Sequence, residues 1–199
     1  MRSLTSLSGA IVGLILALSS VHAASVSRQD AAVFSRKLEQ IIIQAGVRAN
    51  AGQRRTPVSE TELNSWLAYG ASPLLPAGVS DPQITLVGNG RVVGQVVVDL
   101  DAVAKRRSTG AFGIWNLIGG KVPVNVAGVL QTRDGMGTFA LETADISGVP
   151  VPKTVLQELV HAYSRTPSNP QGVDIDDAFA LPAAIRQIDV GAGQAVVVQ

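Results

Sequence analysis

Between Arg28 and Ala45, the apolar residues Phe34, Leu38, Ile41, Ile42 and Ala45 recur at the spacing of one helical face, while Arg36, Glu39 and Gln40 fall elsewhere. This period predicts an amphipathic helix. Ile43 breaks the pattern and points roughly the opposite way. The next stretch, RANAGQRRTP (Arg48 to Pro57), has no period and reads as a polar, basic connector. In SETELNSWLAYG, Ser59 and Glu62 stand in capping-box register, so a short helix is predicted from about Glu60 to Tyr69. Leu63, Trp66 and Leu67 form its apolar stripe.

The pattern then changes from helical to strand-like. In ITLVGNGRVVGQVVVDL, Asn89-Gly90 suits the two left-handed positions of a type I′ turn, so Ile84 to Gly88 and Arg91 to Leu100 should pair as a hairpin. A second hairpin is predicted where VPVNVAGVLQT (Val122 to Thr132) meets GTFALETADI (Gly137 to Ile146) across Arg133-Asp134-Gly135. The third joins IRQIDV to QAVVVQ through Gly191-Ala192-Gly193. Six strands linked by tight turns imply an antiparallel sheet and an α+β fold, not βαβ units.

Those strands carry an anomaly. A hairpin strand with one wet face alternates apolar and polar residues, yet Val92-Val93, Val96-Val97-Val98 and Val196-Val197-Val198 put valine on both sides. Three short helices can cover one face of such a sheet, which leaves the other to a second sheet layer, strong curling or an apolar ligand. A self-covered sandwich without a cavity is the plain alternative.

Between the second and third hairpins, GVPVPKTVLQELVHAY places Pro152 at a first helical position, where its missing N–H is harmless. The helix predicted from about Pro152 to Ser164 gathers Val155, Leu156, Leu159, Val160 and Tyr163 in one arc. His161 falls on the opposite side with Gln157 and Glu158 and reads as a solvated surface residue, since general-base work needs a pocket.

Composition narrows the function. Residues 1–23 have Arg2 near the start, an apolar centre from Ala10 to Leu18, and Val21 and Ala23 at the spacing signal peptidase reads, which predicts a cleavable signal peptide and a periplasmic or secreted protein. Retention of the segment as an anchor is the alternative. Residues 24–199 are then expected to form one domain. The chain has no Cys, so neither a disulfide framework nor a lipid-anchoring cysteine is available. Without Arg2, Lys and Arg number 16 − 1 = 15 against 15 Asp and Glu, a balance that offers no general attraction to nucleic acid. Aromatic residues at 4% are too few for stacking platforms.

Catalytic and metal signatures are missing too. There is no GxSxG or HExxH, and no second histidine after the signal segment to join His161. Asp174, Asp176 and Asp177 lack the EF-hand spacing and read as turn and cap residues. No catalytic residue, cofactor or metal is expected. One segment points to surface contact instead: Lys105, Arg106 and Arg107 precede Phe112, Ile114, Trp115, Leu117 and Ile118, a pattern suited to a loop that dips into a membrane interface. A gate at a cavity mouth, or a core-facing helix and turn, would use the same residues.

Taken together, the amphipathic first helix, the capped ELN helix, the NG hairpin, SGVPVPKTVLQEL (Ser147 to Leu159) and LPAAIRQIDVGAGQAVVV (Leu181 to Val198) resemble small exported bacterial proteins of the LmeA-like and YceB-like type, related to the tubular lipid-binding superfamily. The resemblance implies a strongly curved antiparallel sheet of about six strands wrapping or packing on the long N-terminal helix, with acyl chains in the groove between them. It implies a non-enzymatic carrier of lipids or similar amphiphiles that touches membranes transiently. On that reading the helices would contribute Phe34, Leu38, Ile41, Ile42, Leu63 and Trp66, and later Leu156 and Leu159. The strands would contribute Ile84, Leu86, Val93 and Val97, then Val124, Val126, Phe139 and Leu141. The competing expectation is an envelope interaction protein that offers Ala195 to Gln199 as a free sheet edge.

Overall fold

The computed structural model describes residues 25–46, 52–105, 120–165 and 169–199, and within these the side chains of residues 103–105, 159, 162 and 163 are left aside. The segment read from sequence as a signal peptide, residues 1–23, lies outside the described residues. The fold is α+β, built from a six-stranded antiparallel sheet, a second sheet of three strands, a long N-terminal helix and shorter helices.

Helix α1 (Arg28–Ala45) begins where Ser27 accepts a hydrogen bond from the Asp30 N–H. Helix α2 (Glu60–Tyr69) begins at a full capping box: Ser59 Oγ accepts from the Glu62 N–H, and the Glu62 carboxylate accepts from the Ser59 N–H. The two helices pack on each other. Phe34 and Trp66 stack at 5.3 Å between ring centroids. The fully buried Ser65 accepts from the Ser27 N–H at 3.0 Å, and Lys37 pairs with Glu62 at 2.7 Å.

The large sheet runs β2 (Val79–Gly88), β3 (Arg91–Asp99), β4 (Lys121–Arg133), β5 (Met136–Ile146) and β6 (Val149–Pro150), and the two-residue β7 (Phe179–Ala180) also pairs with β5. It is not closed. Asn89-Gly90 and Asp134-Gly135 take the positive φ values that tight hairpins require. After β3, Asp99 Oδ1 accepts from the Ala102 N–H and starts the short helix α3 (Leu100–Lys105). Helix α4 (Lys153–Ser164) follows Pro152 and packs on β5.

In the small sheet the order is β1 (Arg55–Ser59), β9 (Gln194–Val198), β8 (Gln187–Gly191). Two sequence expectations change here. Arg55 to Pro57 is strand and not connector: β1 exists because it pairs with β9, about 140 residues away, and Pro57 is tolerated because β1 is an edge. The last strand, conversely, is no free edge, for β9 pairs with β1 on one side and β8 on the other. The β8 partner is the third hairpin read from the sequence, whereas the β1 partner has no local signal.

Hydrogen bonds join the two sheets at the hairpin tips. Thr132 Oγ1 accepts from the Ile188 N–H at 2.7 Å and donates to Ile188 O at 3.0 Å. Gly90 N–H donates to Val190 O and Gly135 N–H to Arg186 O. Beneath these bonds lies a core of Leu86, Val190 and Ala195, surrounded by Ile84, Val92, Leu130 and Ile188. Among the described residues no helix is long and apolar enough to cross a membrane.

Candidate functional site

Which valines share a face depends on register, because side chains alternate along a strand and a one-residue slip reverses them all. Across the first turn Gly88 opposes Arg91, so an unbroken hairpin would set Leu86 against Val93. Instead Leu86 opposes Val92, because Val87 forms a bulge. Gly88 at φ 110 accommodates it. The third hairpin pins the bulge in place: Val87 bridges Ala192, and Leu86 O accepts from the Gly193 N–H at 2.7 Å. On the other side, the Leu86 N–H donates to Glu60 at 2.6 Å, while Asn64 holds both the N–H and the C=O of Ile84 at 2.7 Å. Helix α2 thereby holds the outer edge of β2 at Ile84 and Leu86.

The inner face of the large sheet consequently carries Ile84 and Leu86 from β2, then Val92, Gly94, Val96 and Val98 from β3. Opposite them stand Val122, Val124, Val126, Gly128 and Leu130 from β4, and Phe139, Leu141, Ala144 and Ile146 from β5. The small sheet covers this face at the hairpin tips, where Leu86 is buried. Val122, Ala144, Ile146 and the α4 residue Leu156 are buried as well. Beside them Val96, Val98, Val124 and Val126 remain half-buried. At the centre, in the row Ile84, Gly94, Val126, Ala144, a Cβ placed on Gly94 would have no atom within 4 Å. Among the described residues the sheet face is therefore apolar and open over Gly94, a strip termed the trough.

One rim of the trough is set by a close approach. A Cβ on Gly128 would fall 2.5 Å from Ala140 O and 2.5 Å from the tip of the Phe139 ring, so the ring lies across β4 because that residue is glycine.

The sequence-derived groove residues divide into groups. Ile84, Val124, Val126, Phe139 and Leu141 share the trough face, and Leu86 shares it beneath the small sheet. Val93 and Val97 occupy the opposite face, opposing Thr85 and Ser80 in β2, with Gln95 between them. The Val87 bulge reverses the parity of β3 against β2 and so sets these two valines apart from Ile84 and Leu86. Phe34 and Trp66 meet in the α1–α2 contact, the half-buried Leu38 and Leu63 belong to the same two helices, and Ile41 is buried where Gln199 Nε2 donates to its carbonyl. Ile42 is 57% exposed and lines nothing. The Leu159 side chain and residues 106–118 of the basic, Trp-bearing loop lie outside the described residues, and Lys105 closes α3. Sequence reasoning missed Gly94, Val96 and Val98, whose inward orientation has no local signal.

His161 is half-buried in the last turn of α4 and not fully solvated. Asp174 serves a turn, where it accepts from the Asp176 N–H, and Asp176 pairs with Lys153. No family model, curated protein or solved structure matches this chain.

Proposed function

We propose that this protein is exported and carries lipids or similar amphiphiles without changing them chemically, their aliphatic parts lying in the trough over Gly94. The observation that supports this reading is the apolar surplus on the inner face: Val96, Val98, Val124 and Val126 stay half-buried around an empty space at Gly94. Each ~100 Å² of apolar area removed from water contributes about 2.5 kcal/mol, so an alkyl chain on this surface needs few polar contacts. Specificity for the chain would be low. The basic segment from Lys105 to Ile118 would serve contact with a bilayer.

Native mass spectrometry of protein purified without detergent tests the proposal. Co-purifying phospholipid, or uptake from vesicles, is expected for the unaltered chain. Gly94→Phe should fill the trough and yield an empty, folded protein, since nothing stands where its side chain would begin. A uniformly empty unaltered protein that takes nothing from vesicles would overturn the reading. The rival based on a free final strand has lost its premise, because β9 is central in its sheet.

A further inference from the structure

A second cavity lies outside the trough. It is a cleft of about 580 Å³ between α2, the 3₁₀ turn Ser72–Leu74 and the edge of β2. That volume falls within the range of small-ligand sites. Val26, Leu67, Leu75, Val79 and Ile84 supply apolar wall. Thr61, Asn64, Ser72, Ser80, Gln83 and Thr85 supply neutral polar groups. Among the described residues the charged ones lining the cleft are Glu60 and Asp81, with no Lys, Arg or His. Gly94 is not among its walls, and Ile84 is shared with the trough face.

We infer that this cleft binds an amphiphile bearing a positively charged amine, its aliphatic part against Leu67, Leu75 and Ile84 and its nitrogen at one of the two carboxylates, Glu60 or Asp81, which stand at separate points along the β2 edge. Among the described residues the Leu86 N–H donates to Glu60 at 2.6 Å and Ser80 Oγ to Asp81 at 3.0 Å. A carboxylate has room for several more, so each can still accept from an ammonium group. An anionic headgroup would meet two like charges and no compensating cation, which disfavours it in a partly desolvated cleft. Asn64 is already committed to Ile84, which leaves the carboxylates as the strongest free acceptors.

The test is a titration of the purified protein with decylammonium, decanol, decanoate and ethylammonium, each below micelle formation, followed by backbone amide shifts. Decylammonium should bind most tightly, and the shifts should map to residues 60–68 and 79–85. The double variant Glu60→Gln/Asp81→Asn keeps an acceptor for the Leu86 N–H and a residue that tolerates the φ of 51 at position 81, and it should weaken decylammonium binding about tenfold or more. Decanol binding should stay as it was. Equal binding of decanoate, equal binding of ethylammonium, shifts that map elsewhere, or a double variant with unaltered affinity would each overturn the inference.

Discussion

Gly128 shows how one missing side chain shapes a surface. Phe139 covers it closely enough that any Cβ would collide with the ring and with the Ala140 carbonyl. Backbone cannot yield as a flexible side chain can, so Gly128→Ala should destabilise the fold by about 1–3 kcal/mol and displace Phe139 from the trough rim. A denaturant titration reads the first effect, seen as a lower midpoint at unchanged slope. Asn89-Gly90 could be read directly from sequence as a turn, since its left-handed backbone is a local property. Gly128 could not, because what makes it necessary is a ring on the neighbouring strand.

Among the elements, α2 was the most readable, and its cap is also the most connected part of the molecule. Glu62 closes the capping box and pairs with Lys37, which also donates to Pro57 O at 2.7 Å. These roles can be separated. Glu62→Gln keeps a side-chain acceptor for the Ser59 N–H and removes only the charge, so its destabilisation should stay below about 1 kcal/mol. Glu62→Ala removes both and should lose about 1–2 kcal/mol. Thermal or urea unfolding of the two variants checks the order, and equal losses would mean that the box contributes nothing beyond the ion pair. Strand β1 is the counter-case. Its five residues include a central proline and carry weak strand preference, and only the distant β9 gives them a ladder to join.

At the scale of the whole molecule, the assignment of the valine faces follows from the docking of the third hairpin on the first. The bulge at Val87 puts Val96 in the trough and Val97 outside. Val96→Lys should therefore abolish or strongly reduce lipid uptake from vesicles, whereas Val97→Lys should remain loaded and folded. The reverse result would restore the parity of an unbroken hairpin and remove the trough as the binding surface.

Sequence alone determined the helices α1, α2 and α4, the three hairpins, and the excess of valine, since helical period, caps and tight turns act over a few residues of chain. It could not determine which valines face each other, nor that the last hairpin leaves the large sheet to form a small one with β1. Those outcomes belong to the tertiary structure, because a register is set by backbone bonds to strands far away in the chain, and a single extra residue in a bulge reverses every side chain beyond it.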